Sequence, residues 1–124
     1  MPVPVAEAQS AAIARVWSGR LTLPGLTEME RWEEEGEIER GRGKAFHRLV
    51  TPSDVEYIND LCRWCLSADR EGEVGVGKKQ PYWGDRERWI RINVPAIKRA
   101  FAAKGDQRHC VRTLEELGFH FEGP

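Results

Sequence analysis

The sequence predicts an all-α fold, a small irregular bundle of four to five helices with a long glycine-rich loop. Three observations favour it. Apolar residues recur at helical spacing, no stretch of four or more residues alternates convincingly between apolar and polar side chains, and no Asn-Gly or Asp-Gly pair marks a hairpin. Because 124 residues is the length of one domain, we expect a single helical domain over residues 1–124.

The composition is typical of a soluble globular protein, with 40% hydrophobic and 31% charged residues. The 19 Lys and Arg balance 20 Asp and Glu, which argues against nucleic-acid binding. No apolar run approaches the roughly 20 residues that span a bilayer, so we expect no membrane partner. Three cysteines without framework spacing fit a reducing compartment, and we expect a cytoplasmic protein.

The first helix is predicted over residues 3–18, where the larger apolar residues recur at helical spacing. Gly19 suits the left-handed position after its last turn. Thr27 and Glu30 form a capping-box pattern for a second helix rich in Glu, which the glycines at 41 and 43 end. The sequence thus predicts two helices joined by a short connector.

The third helix is predicted to begin at Thr51-Pro52 and to run to about Ala68. A glycine-rich loop follows, and a fourth helix begins near Asp85. Because proline removes a helical donor and Asn is a good N-cap, Asn93-Val94-Pro95 predicts that the fourth helix is kinked or split.

A short last helix is predicted from a second capping-box pattern, Thr113 with Glu116. Gly118 follows at a suitable distance to end it. Two aromatic residues then come close to the end of the sequence, Phe119 and Phe121.

Nine residues among the first thirty follow the spacing P-x-x-E-x-Q-x-x-x-x-x-R-V-x-x-G-x-x-x-L-P-x-x-x-x-M. They are Pro4, Glu7, Gln9, Arg15, Val16, Gly19, Leu23, Pro24 and Met29. This pattern resembles the last helical region of flavin-containing monooxygenases. The segments 54–59, 81–84 and 112–118 are similar to the C-terminal extension of the fungal members, so the resemblance covers nearly the whole chain.

Members of that family bind FAD and NADPH on Rossmann-type domains that carry a glycine fingerprint. This sequence has no G-x-G-x-x-G, and the resemblance places the cofactor-binding segments upstream of where it begins. We therefore expect no cofactor. The resemblance implies a helical cap whose formerly covered face must bury itself, form a dimer or bind another molecule.

The third helix carries the most informative surface. Tyr57, Leu61 and Trp64 lie beside the arc that contains Cys62 and Cys65 and widen the apolar face to roughly 200°, more than one packing partner covers. The extra face predicts either a second packing partner or dimer interface, or the wall of an apolar pocket. In the second case the opposite wall is assigned to aromatic residues after the glycine loop, Tyr82, Trp83 and Trp89.

Polar candidates flank this aromatic face. Asp54 and Asp60 are placed at its edge, where a desolvated carboxyl could exchange a proton, although carboxylates at a helix start are often caps. His47 precedes the third helix, as a candidate acid or base or as a surface residue. Gln9 is predicted to point between apolar residues of the first helix, bonded either to backbone or to a ligand.

Two further motifs are weighed and set aside. The segment 72–79 nearly matches a phosphate-binding loop, but it lacks the hydroxyl residue and places a glutamate beside the phosphates. Cys62 and Cys65 form a C-x-x-C, and a zinc site would need His109 and Cys110 to complete it, but their place on an apolar helix face favours buried thiols. We therefore predict no metal.

Two functions remain. One is a cofactor-independent cyclase or isomerase of fungal secondary metabolism, which could guide a cycloaddition of an apolar, polyunsaturated intermediate. Its catalytic candidates are Tyr57, Asp60 and His47, and its substrate-binding candidates are Gln9, Asp54, Leu61, Trp64, Tyr82, Trp83 and Trp89. The other is a non-catalytic module that docks on a flavin-dependent monooxygenase or forms a homodimer. The five tryptophans favour the enzyme narrowly.

Overall fold

The structure is a computed structural model that describes residues 2–68 and 82–123. These residues form four α-helices and two short 3₁₀-helices, and no strand occurs among them, which confirms the all-α prediction. They are α1 (Pro2–Trp17), α2 (Leu26–Arg40), α3 (Ser53–Leu66) and α4 (Asp85–Ala103), followed by the 3₁₀-helices Gly105–Cys110 and Glu115–Leu117. The predicted glycine-rich loop and phosphate-loop-like segment lie largely outside the described residues.

Two compact units divide the chain, Met1–Tyr82 and Trp83–Pro124. The single domain expected from the sequence stays a prediction. None of the described helices is long and apolar enough to cross a membrane.

The core of the first unit is the contact between α1 and α3. Ala8 and Ala12 are buried on α1, where their small side chains allow α3 to approach closely. Ile58 and Val55 fill the facing side of α3. Because these residues recur at helical spacing, each helix presents one continuous buried stripe.

The end of α1 confirms the role predicted for Gly19. This residue has φ 72°, in the left-handed region that favours glycine. The Gly19 amide donates to the Val16 carbonyl at 3.0 Å, and the Arg20 amide donates to the Arg15 carbonyl at 3.0 Å. Together the two bonds form a Schellman motif, which ends the helix and turns the chain so that Leu21 is buried.

The start of α2 differs from the prediction. The helix begins at Leu26 with Gly25 at the N-cap, and no side chain caps it. The amides of Glu28 and Met29 both donate to the Gly25 carbonyl at 3.0 Å. Thr27 therefore lies inside the first turn, and the predicted Thr27–Glu30 capping box is wrong. The end agrees, because Gly41 has φ 84° directly after Arg40.

The second unit contains α4, the two 3₁₀-helices and the segment that follows them. The predicted split of the fourth helix is wrong, since α4 continues through Pro95 to Ala103. Asn93 does not act as an N-cap; its amide donates to the Trp89 carbonyl one turn earlier, at 2.8 Å. An interior asparagine can bond in this way without ending a helix.

The last predicted helix is only a 3₁₀-turn, Glu115–Leu117, which Gly118 ends at φ 81° as expected. The Glu116 amide donates to Thr113 Oγ1 at 3.4 Å. The Glu116 carboxylate accepts from the Arg112 amide at 2.8 Å, one residue before the position that a capping box requires.

Candidate functional site

Helix α3 makes contacts on one face and lines a cleft with another, as its wide apolar arc predicts. Its buried residues Asp54, Val55, Ile58, Asn59, Cys62 and Cys65 fall within about 140° of the helix circumference. Tyr57, Leu61 and Trp64 lie on the adjoining arc and are only half-buried. The first face packs on α1, and the second lines a cleft.

The cleft is an open groove of about 790 Å³, formed by α2, the segment that follows it and α3. Its apolar lining comes from both helices and from the connecting segment, and includes Met29, Trp32, Phe46, Leu49, Leu61 and Trp64. Polar atoms sit among these residues at Tyr57 and at several carboxylates. The groove lies entirely within the first unit.

Helix α2 forms one wall of the cleft with very little burial of its own. Gly36 is its one buried residue, whereas Trp32 is 54% and Met29 is 40% exposed. Most other positions of the helix are exposed and charged. An apolar strip on an otherwise acidic helix therefore faces an open groove instead of a core.

A cation–aromatic cluster closes one part of this wall. The Arg40 guanidinium lies 5.8 Å from the ring centroid of Trp32 and 5.0 Å from that of Phe46. The two rings meet edge to face at 6.4 Å. Gly36 permits this close approach, because a Cβ at this position would come within 2.9 Å of the Phe46 ring and the ring would have to shift.

Arg40 also forms an ion pair with Glu39 at 3.6 Å, and 19% of its side chain is exposed. Its buried Nε–H has no hydrogen-bond partner within residues 2–68 and 82–123. The guanidinium is therefore held mainly by the two aromatic faces.

The polar candidates of α3 are placed differently from one another. Tyr57 lines the cleft, and its hydroxyl accepts a hydrogen bond from the Gln9 amide at 3.0 Å. Asp60 also lines the cleft, but it is exposed and ion-paired with Arg63. Asp54 is not among the lining residues. It is buried, and its carboxylate accepts from the Val55 amide at 3.0 Å.

Gln9 corrects one expectation. The sequence places its amide between apolar side chains, bonded to backbone or to a ligand, but the residue is exposed and bonds to the Tyr57 side chain. The periodicity of α1 misleads here because the buried stripe follows the small residues Ala8 and Ala12 instead of the larger apolar ones.

The other predicted site residues, His47, Tyr82, Trp83 and Trp89, are not among the residues that line this groove. His47 is exposed, with its ring 5.3 Å from Phe46. Tyr82 is exposed, and Trp83 is half-buried. In the second unit Trp89 packs against Phe119 and Phe121, with ring centroids 6.5 and 5.7 Å apart. That Tyr82, Trp83 and Trp89 form a wall opposite α3 stays a prediction.

The wall that α2 and the following segment supply is not predicted from the sequence. Met29 and Trp32 lie three residues apart on the Glu-rich second helix and Phe46 lies in a basic segment, but none of them is among the site residues predicted from the sequence. A signal was present, since two large apolar residues at i and i+3 on an acidic helix mark a face that contacts something.

The cysteines behave as the apolar-arc interpretation of α3 predicts. Cys62 and Cys65 are buried on the face that packs on α1 and form no disulfide, and Cys110 is an exposed cysteine in the second unit. In the part of the chain that the structure describes, no group of three or more His, Cys, Asp or Glu side chains is arranged to hold a metal ion.

Proteins similar to this chain include two from Aspergillus flavus. The flavin-containing monooxygenase ustF2 is 33% identical over 85 residues, 67% of this chain and 17% of that protein. The flavin-containing monooxygenase ustF1 is 38% identical over 58 residues, 47% of this chain and 14% of that protein. The chain resembles a segment of fungal flavin-containing monooxygenases. That this segment is the C-terminal one stays a prediction. No family model and no solved structure matches the chain.

Proposed function

We propose that this chain is a docking module and that its α2–α3 cleft binds a protein partner. The observation that carries the proposal is the exposure of α2. This helix has one buried residue, and its Met29 and Trp32 side chains face an open groove. Contiguous exposed apolar surface rimmed by polar residues is typical of interaction sites.

The proposed partner is the body of a flavin-containing monooxygenase. The matching segment makes up 17% of ustF2 and 14% of ustF1, so in those proteins it belongs to a much longer chain. A face that packs on the rest of such a chain would be exposed in the segment alone. The cleft of α2 and α3 has that property, and docking would cover it again.

The test is complex formation with a flavin-containing monooxygenase of the same source from which the matching segment has been deleted. Its bound flavin verifies that the truncated protein is folded. We expect the two proteins to co-migrate in analytical ultracentrifugation as a 1:1 complex detected by the flavin absorbance, with a Kd in about the micromolar range.

Tryptophan variants give the matched control. Trp32→Ala and Trp64→Ala, which remove lining from the two walls, should each weaken the complex about tenfold or more. Trp17→Ala should leave it unchanged, because Trp17 is 86% exposed on α1 and is not part of the cleft. Separate migration of the chain and the flavin-loaded partner at about 50 μM would contradict the proposal.

A cofactor-independent cyclase or isomerase is the second candidate, favoured by the size of the cleft. Its volume of about 790 Å³ falls within the range of roughly 300–1,000 Å³ of small-molecule sites. Tyr57 accepts a hydrogen bond from Gln9, which orients the phenol and leaves its proton for a substrate carbonyl. The substrate would be an apolar polyunsaturated intermediate of fungal secondary metabolism.

This second function is less well supported because its acid and base candidates are exposed. Asp60 is ion-paired with Arg63, and His47 does not line the cleft. The test is co-expression with the neighbouring biosynthetic genes, with and without this chain. Tyr57→Phe should reduce the cyclised product about tenfold or more, and an unchanged product profile without the chain would rule the activity out.

A further inference from the structure

The charge of the cleft is strongly one-sided. Five carboxylates line it, those of Glu28, Glu33, Glu39, Glu56 and Asp60, against the one cationic group of Arg40. Within the described residues, Glu28 and Glu33 form no ion pair. The Arg40 guanidinium contacts two aromatic rings and forms an ion pair with Glu39.

The apolar and acidic residues are arranged in strips. On α2, at 100° per residue, Met29, Trp32 and Gly36 lie in the middle of the cleft-facing arc, with Glu28 on one edge and Glu33 on the other. On α3, Glu56 and Asp60 lie on one edge of an arc that continues through Trp64, Tyr57 and Leu61. The groove therefore has an apolar floor and an acidic rim, the usual arrangement of a protein-binding surface.

The volume of the groove suits a helix. A helix about 10 Å across fills about 120 Å³ per residue, so a groove of this volume that takes half its cross-section would hold about 13 residues. Two helices already form the walls, and a third helix laid between them would bury Met29 and Trp32 against its own apolar stripe.

We propose that the occupant of this cleft is an amphipathic helix with apolar residues at i, i+3, i+4 and i+7 and with Lys or Arg on both flanks of that stripe. This inference deepens the docking function proposed above and rests on it. The apolar stripe fills the floor, and the basic flanks pair with Glu28 and Glu33 on the rim. Charge complementarity fixes the orientation of the helix and increases its association rate.

The test uses the full chain and three fluorescein-labelled 18-residue peptides. The first is an amphipathic helix with Leu on one stripe and Lys on its flanks. The second carries Glu in place of every Lys, and the third has the composition of the first with its Leu spread around the helix. We expect anisotropy to show binding of the first peptide, and binding at least tenfold weaker of the other two.

Matched charge variants locate the interaction. The double variant Glu28→Gln/Glu33→Gln should bind the basic peptide about fivefold more weakly at low salt, with a smaller loss of affinity in 0.5 M NaCl. Glu30→Gln/Glu34→Gln removes the same charge from exposed positions of α2 that do not line the cleft, and should leave affinity within about twofold. Equal losses in the two double variants would show attraction by net charge alone and would overturn the inference.

Two other results would also overturn the inference. One is that the acidic or the scrambled peptide binds as tightly as the basic peptide. The other is that the chain self-associates in sedimentation and thereby displaces the basic peptide, which would make a second copy of the chain the occupant. The flavoprotein experiment fails independently. If the basic peptide binds but no flavoprotein complex forms, the helix chemistry stands and the partner is wrong. If the complex forms and no peptide binds, docking stands and the helix inference fails.

Discussion

Gly36→Ala tests the close approach of α2 to Phe46. In a helix interior this substitution ordinarily raises the free energy of unfolding by about 1 kcal/mol, because alanine restricts the unfolded chain and favours the helix. Here the new Cβ would stand 2.9 Å from the Phe46 ring and even closer to the end of the Arg40 side chain. The flexible arginine can move at small cost, whereas the ring must shift.

The magnitude follows from the contacts that the shift would loosen. An edge-to-face aromatic pair such as Trp32–Phe46 is worth about 0.5–1.5 kcal/mol, and a partly exposed cation–aromatic contact such as Arg40–Phe46 is worth about 0.5–1 kcal/mol. Together they offset the helix gain or exceed it. We expect Gly36→Ala to be between neutral and about 1 kcal/mol less stable than the parent protein.

The assay is urea unfolding followed by far-UV circular dichroism, with a double-mutant cycle as the control. In a Phe46→Ala background the ring is absent, and Gly36→Ala should then stabilise the protein by about 1 kcal/mol. The coupling energy between the two positions should be about 1–2 kcal/mol. A gain of about 1 kcal/mol from Gly36→Ala in both backgrounds would refute the proposed packing.

Three further predictions concern the core and the second unit. Ile58→Ala should cost about 2–5 kcal/mol in urea unfolding because Ile58 is 2% exposed, whereas the matched Ile38→Ala, at a residue 86% exposed, should change stability by less than about 0.5 kcal/mol. Arg15→Met should leave the free energy of unfolding unchanged or raise it by about 1 kcal/mol. The Arg15 side chain is buried and its Nε–H has no partner among the described residues, whereas a flexible apolar side chain fits the same space. A decrease in the free energy of unfolding of more than about 2 kcal/mol would contradict this. The pKa of the Glu115 carboxyl is lowered, first by its own backbone amide, then by the Thr113 hydroxyl and by the charges of His120 and Arg86. The ionised carboxylate therefore stabilises the fold above the ordinary pKa of 4.5. This contribution disappears as pH falls through the lowered pKa. Glu115→Gln should therefore be less stable than the parent protein at pH 7 and equal to it at about pH 2, and a difference that is the same at both pH values would contradict the assignment.

The pattern that resembles flavin-containing monooxygenases has a structural explanation at several of its positions. Gly19 forms the Schellman turn after α1, and Gln9 ties α1 to Tyr57 of α3. Pro24 and Met29 line the cleft. Each of these four residues therefore has a structural role within the first unit.

The sequence predicted local features best where one residue type decides them. Gly19, Gly41 and Gly118 all have positive φ values, as their positions after helices indicate. Predictions that depend on competing caps were less reliable. Thr27 could cap a helix, but Gly25 occupies that position, and Asn93 could begin a new helix but bonds within α4 instead.

The second wall of the cleft could not be read from local spacing. The sequence shows that α3 is apolar over more than one face, and it shows Met29 and Trp32 on one side of α2. Which of several aromatic groups faces α3 depends on the path of the chain between Arg40 and Ser53. Trp32 and Phe46 line the described groove, and the wall of Tyr82, Trp83 and Trp89 expected from the sequence stays a prediction.

By itself the sequence determined the all-α class, the approximate helix positions and the two-faced character of α3, because these depend on periodicity and on single residues such as glycine. The tertiary structure decided that α2 stands with one buried residue beside a groove, and that the groove has an acidic rim around Trp32 and Trp64. Such features arise from contacts between residues distant in the sequence, and no local propensity specifies which faces meet.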